Sequence, residues 1–160
     1  MKFKRVLLCI LACLMIVTCF HTETAQAAEK NYTNRDLKYM SCIIWCEAGN
    51  QSYAGKLAVG CVVMNRVRSH SFPNSVRGVI YQRSQFTPTR NGAMHKALVA
   101  YKQGRFERGA RAQCVKAAKA ALEGQSYVVS RGRKINMKRM HFFSRSLSHA
   151  KVRINAHAFK

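Results

Sequence analysis

The sequence predicts an α+β domain, a helical body followed by a small C-terminal antiparallel β-sheet. Apolar residues recur at steps of three and four through much of the chain from Leu37 to Leu122, which is the helical period. Beyond Gly124 they come instead in short β-branched and aromatic runs, the mark of strands. The length sets the number of domains: of 160 residues, the first 27 read as a leader, and the rest suits one domain with one core.

The leader pattern is Lys2, Lys4 and Arg5, then the apolar run Val6 to Phe20, then small residues ending Ala25-Gln26-Ala27-Ala28. This is the order of a secretory signal peptide, with cleavage expected after Ala27. The run falls short of the about 20 residues a membrane span needs, so neither a span nor an anchor is expected. Leu11-Ala12-Cys13 comes too early for lipidation, and Thr18 is the wrong residue before Cys19.

Residues 28–36 read as a lead-in and 37–160 as the folded domain. Thr33 or Asn34 can cap a first helix, with Asp36 near its positive end; Leu37, Met40, Ile44 and Ala48 give its apolar stripe, and Gly49-Asn50 its stop. A second helix is expected from about Tyr53 to Val67, with Ala54, Leu57, Ala58, Cys61, Val62 and Asn65 on one stripe. Ser71-Phe72-Pro73-Asn74 is a turn, and Ser75 caps a short helix from Val76 to Tyr81. Gln82 to Gly92 reads as a loop, and Ala93 to Lys102 and Ala110 to Leu122 as helices, the last closed by Gly124. Strands are expected at Tyr127 to Val129, Met140 to Phe143 and Val152 to Phe159.

Against 28 Lys and Arg stand six Asp and Glu, a net charge of +22. Such a field draws the protein toward a polyanion, and solubility alone rarely needs so lopsided a ratio. Outside a bacterial cell the polyanions are peptidoglycan carboxylates, teichoic acids, phospholipid head groups and stray nucleic acid. Cys9, Cys13 and Cys19 leave with the leader; Cys42, Cys46, Cys61 and Cys114 remain. Four cysteines permit two disulfides without dictating them. Burial as small apolar residues is the plainer reading, and no histidine spacing suggests a metal site.

Glu47 is the one acid set in an apolar stretch, Ile43-Ile44-Trp45-Cys46-Glu47-Ala48, at the C-terminal end of the first helix. Burial and the negative helix end both favour its protonated form, which suits a general acid. The alternative is a structural acid paired with one of the many cations. A usual glycosidase places a second carboxylate within about 10 Å. Asp36, eleven residues earlier on the same helix, lies about 16 Å away, and Glu29, Glu107 and Glu123 look surface-bound. If sugar is cut, a substrate group has to replace the second acid.

The series Trp45-Cys46-Glu47-Ala48-Gly49-Asn50-Gln51-Ser52-Tyr53, Gly55 to Gly60 and Val62-Val63-Met64-Asn65-Arg66-Val67 resembles the spore-cortex-lytic cell-wall hydrolases of the SleB/CwlJ type. The likeness continues through Phe72 to Tyr81 and Ser84-Gln85-Phe86-Thr87, and resumes at His141-Phe142-Phe143 and Ile154 to Phe159. It implies a lysozyme-like domain that cleaves peptidoglycan glycan after N-acetylmuramic acid, as a lytic transglycosylase or a muramidase, in spore cortex or cell-wall turnover. It also implies Glu47 as the catalytic acid, Gln85, Phe86 and Thr87 in the sugar cleft, and no cofactor. In the lytic reaction the muramic C6 hydroxyl attacks, so one carboxylate suffices. Many relatives carry a second Glu where this chain has Gln51, and two glycines where it has Asn155-Ala156.

Tyr81 and Trp45 are candidates to stack on sugar or to serve as core. His141 and His157 are candidates to hold substrate, or plain strand residues beside Phe142 and Phe159. His70, His95 and His149 look like surface residues. The expected partners are peptidoglycan and anionic wall polymers, with the positive surface as anchor; a monomer is expected, and no nucleic acid. Rival readings are a Cys/His amidase or peptidase using Cys46 with His141 or His157, a cationic nucleic-acid binder or ribonuclease, and a wall-binding protein without activity.

Overall fold

The computed structural model describes residues 30–160. The leader and the start of the lead-in lie outside the described residues. Five α-helices precede five short strands: α1 Asn34–Ala48, α2 Tyr53–Val67, α3 Val76–Tyr81, α4 Ala93–Lys102 and α5 Gly109–Leu122, then β1 Tyr127–Ser130, β2 Arg133–Asn136, β3 Phe143–Ser144, β4 Val152–Ile154 and β5 His157–Phe159. A 3-10 turn, Thr87–Thr89, interrupts the expected loop. The helical body and the β-rich end lie where the sequence puts them.

Capping fixes where α1 begins. The Thr33 side chain accepts from the Asp36 N–H, and the Asp36 carboxylate accepts from the Thr33 N–H at 3.1 Å and its hydroxyl at 2.6 Å, a reciprocal capping box. The helix thus starts within the segment expected to be lead-in. Ser75 caps α3 by accepting from the Gly78 N–H at 3.1 Å.

Helix α2 is the centre of the body. Every residue from Ala54 to Val63 is buried, so it is covered on all sides rather than amphipathic. Helices α1 and α2 both pack on α5, and α1 also on α4. Glycine permits the closest of these contacts: a Cβ on Gly60 would meet the Ala121 Cβ at 2.9 Å and the Ile44 Cδ1 at 3.2 Å. Met40, Ile43, Ile44, Leu57, Val59, Val62, Met94, Cys114 and Ala117 form the core between the helices. None of the described helices is long and apolar enough to cross a membrane.

The β part is two sheets, where one was expected. Strands β1 and β2 form an antiparallel hairpin, Tyr127 facing Asn136 and Ser130 facing Arg133. The polar run Arg133-Lys134-Ile135-Asn136 gives no hydrophobic alternation, which is why the second strand is hidden in the sequence. The other sheet has the order β3-β5-β4, with the wholly buried β5 in the middle. Val152 to Phe159 is therefore a hairpin that turns at Asn155, φ +51°, a conformation asparagine tolerates. Of the expected strand Met140 to Phe143 only its end is ladder; His141 and Phe142 are held by backbone bonds to Lys160.

Helix α2 clasps this β part. The Asn65 amide, expected on an apolar stripe, instead donates to the carbonyls of Met137 at 2.7 Å and Met140 at 2.9 Å. Arg66, 4% exposed, donates through Nε to the His141 carbonyl at 2.7 Å. Its guanidinium lies 5.3 Å from the rings of Phe72 and Phe86 and 5.5 Å from that of Phe142. Burial pushes its pKa down to about 10, so it remains a cation at neutral pH.

Candidate active site

Glu47 occupies the last turn of α1, half-buried, with no capping cation in that turn. Its proton affinity is raised above the usual carboxyl range, and burial is the cause. No charged group of the described residues lowers it, although the chain carries 28 Lys and Arg. The structural-acid alternative required such a partner. The helix end acts in the same direction as burial, because unpaired carbonyls there disfavour a second negative charge.

The other described acids are engaged or exposed elsewhere. Asp36 is bound in the capping box at the far end of α1. Glu123 is exposed and faces the Tyr32 hydroxyl at 3.5 Å, and Glu107 is exposed beyond α4. No second carboxylate perturbs Glu47. Among the described residues no cluster of His, Cys, Asp and Glu could hold a metal ion.

The chain leaves Glu47 through a tight turn, in which the Gln51 N–H donates to the Ala48 carbonyl at 2.9 Å. Close approach demands the glycine at 49, since a Cβ there would meet the Trp45 carbonyl at 2.6 Å. The Gln51 side chain then reaches the C-terminal sheet, its Nε2 lying 3.3 Å from the Nδ1 of His157. His157 is 6% exposed, with Phe143 5.0 Å away between ring centres. Burial, then the charge of Arg145, holds its pKa below the usual histidine value. With His157 neutral, the amide N–H donates, so Nδ1 accepts and the ring proton sits on Nε2. Next to this pair the Asn155 amide donates to the Ser52 hydroxyl at 2.6 Å. Lys56, 1% exposed, points its ammonium at the Gln51 carbonyl.

The residues singled out in the sequence are distributed unevenly around this turn. Phe86 is 2% exposed, its ring covered by Arg66 and by Phe143 at 6.2 Å. Its ring is packed between these groups and offers little open face. Gln85 is half-buried and Thr87 exposed on either side of it. Tyr81 is 42% exposed but packs edge-on to Tyr39 at 6.0 Å, eight residues before Glu47 and so about 12 Å back along α1. His141 stacks on Phe72 at 5.9 Å, and Phe72, like Phe86, has the Arg66 guanidinium 5.3 Å from its ring. Trp45 is capped by the guanidinium of Arg111 at 4.6 Å and by the Phe106 edge, which leaves it structural. His70, His95 and His149 are exposed, as expected.

The structure brings to the turn His157, one of the two candidate histidines, and Gln51, which the sequence marked only as a departure from the family pattern. The sole signal for them was the departure at Gln51 and the position of His157 in the closing motif. All four described cysteines are free thiols, and Cys42, Cys61 and Cys114 are buried. Burial, then the neighbouring Glu47, pushes the Cys46 thiol up to about 11, which removes the thiolate that a Cys/His amidase needs.

Comparison with known proteins gives the family and the fold. A family profile described as Cell Wall Hydrolase matches residues 50–160, beginning just after Glu47. A spore cortex-lytic enzyme of Bacillus cereus is 38% identical over 64 residues, 40% of this chain and 25% of the relative. That of Bacillus subtilis is 34% identical over 64 residues, 40% of this chain and 21% of the relative. The chain thus spans a quarter or less of these curated relatives. Among solved structures, the catalytic domain of the Bacillus cereus SleB protein superposes with a TM-score of 0.60 at 23% identity, covering 80% of this chain and 91% of that one. The catalytic domain of the germination-specific lytic transglycosylase SleB from Bacillus anthracis gives 0.57 at 23% identity, with 80% and 95% covered. The α+β fold is theirs, and with most of its described length matched by the family profile, the chain belongs to the cell wall hydrolase family.

Proposed function

We propose that this protein cuts peptidoglycan glycan strands after N-acetylmuramic acid, with Glu47 as the single catalytic carboxyl and the sugar's own C6 hydroxyl as nucleophile. The observation that carries the reading is a desolvated, unpaired carboxyl with no second carboxylate acting on it. Protonated Glu47 gives its proton to the glycosidic oxygen, and the bond from that oxygen to the muramic C1 breaks, leaving positive charge on the ring. The carboxylate so formed takes the proton of the C6 hydroxyl as that oxygen bonds to C1. The product is a 1,6-anhydro end, no water is consumed, and Glu47 returns to its starting state. Membership of the cell wall hydrolase family supports peptidoglycan as substrate. The spore cortex-lytic relatives favour cortex, and the leader pattern supports export to wall or spore.

The test is digestion of purified vegetative and cortex sacculi by the protein and by Glu47→Gln, with mass spectrometry of the fragments. Anhydromuramic ends that vanish in the variant are expected. Reducing ends would replace the C6 hydroxyl by water, and cleaved stem peptides, or undiminished activity of the variant, would overturn the assignment.

A further inference from the structure

Five of the 28 Lys and Arg line one groove. A cavity of about 630 Å³ lies between the β1–β2 hairpin and β4, lined by Arg131, Arg133, Lys134, Lys151, Arg153 and Asn155 among others, and no acid is among its lining residues. Its cations are exposed but positioned. The Lys134 ammonium sits 4.0 Å over the Tyr127 ring, and Arg153 donates to the Arg145 carbonyl at 3.2 Å. Arg131 takes φ +50° at the hairpin tip, followed by Gly132 at +71°. Asparagine or glycine adopts that first position at lower cost, so the turn keeps an arginine at the expense of local strain.

Asn155 ties the groove to the candidate site. It lines the cavity and also binds Ser52, which is five residues, at most about 18 Å of extended chain, beyond Glu47, so the groove begins one hydrogen bond past that point. We infer that this groove is a subsite for the carboxylate-bearing stem peptides of the same glycan strand that Glu47 cuts. An extended stem of four or five residues on the muramic sugar spans about 13–18 Å, the same length scale as the chain from Glu47 to the Asn155 edge of the groove. Three of the five cations are arginines, whose planar fork matches a carboxylate. This rests on the glycan-cleavage reading and adds to it that stems are recognised through their charge.

Binding separates the two claims. Glu47→Gln protein, which binds without cutting, is sedimented with intact sacculi, with glycan freed of stems by an amidase, and with sacculi freed of teichoic acid, at several salt concentrations. Removing the stems is expected to weaken binding about tenfold and to flatten its salt dependence, and removing teichoic acid to change little. Arg131→Asn, which relieves the strained turn and so keeps the hairpin folded, combined with Arg133→Gln and Lys151→Gln, is expected to bind intact sacculi as weakly as stem-free glycan. Binding lost with teichoic acid but not with stems, or unchanged in the triple variant, overturns the subsite. Stem-dependent binding by a protein whose native form cuts no glycan would leave the subsite standing and sink the glycan-cleavage reading.

Discussion

At the scale of single residues, what distinguishes Glu47 is its solitude in a cationic protein. A carboxyl with a raised pKa has a definite linkage to folding. Below the ordinary carboxyl range both folded and unfolded chains hold the proton. Between that range and the raised folded value the unfolded chain has ionised while the folded one has not, so stability falls as pH rises through this window and the loss is complete above it. Glu47→Gln has nothing to ionise there. Thermal scans across pH should show the variant at least as stable as the native protein above the window, while activity drops about 10²- to 10⁴-fold. In the native protein, turnover should decline as pH rises past the same raised value, since the acid form is the one that donates. A variant less stable than native at high pH would mean that the carboxylate has a partner. Cys46 offers the opposite case: its thiol, pushed up to about 11, is neutral at working pH and acts on nothing. Cys46→Ser should keep turnover within about twofold, measured on the same sacculi.

Among the elements, α2 carries both the core and the connection to the β part. The sequence showed this helix with its bounds, because its apolar and small residues run unbroken and Gly49-Asn50 ends the helix before it. It did not show the role of Asn65 and Arg66, because a polar side chain reaching a distant carbonyl leaves no periodic trace. The same holds for β2, whose pairing is made by backbone alone, and for the Gln51–His157 contact, which joins residues 106 positions apart. The burial of Glu47 was legible since a lone acid in an apolar run is a local pattern. The burial of Phe86 was not legible, since a motif aromatic looks alike whether it touches substrate or supports what does. Gly55 is where the clasp can be tested. A Cβ there would meet the Asn155 Nδ2 and the Gln51 Oε1, each at 2.8 Å, so it must part the first turn of α2 from the β4–β5 turn. Gly55→Ala should cost about 1–3 kcal/mol by chemical denaturation, despite alanine's better helix propensity, and should lower activity with it. A neutral or stabilising result would show that the two amides move aside freely.

Over the whole molecule, charge rather than packing sets the behaviour in solution. The core is continuous from α1 through α2 to α5 and its cysteines are thiols, so among the described residues no covalent staple offsets repulsion among the many Lys and Arg. Six acids are too few to neutralise them, and one of the six, Glu47, is held toward its neutral form. Folding gathers these like charges into a smaller volume, which destabilises the compact state at low ionic strength. The Debye length shrinks from about 30 Å at 0.01 M salt to about 8 Å at 0.15 M, shorter than the dimensions of a domain of this size. Raising salt over that range should therefore raise the melting temperature by about 2–5 °C, about 1 kcal/mol for a chain of this length, while it weakens binding to sacculi. The two trends have opposite signs because one removes repulsion within the protein and the other removes attraction to its substrate. A melting temperature that fell with salt would mean that ion pairs outweigh repulsion, which the shortage of acids argues against.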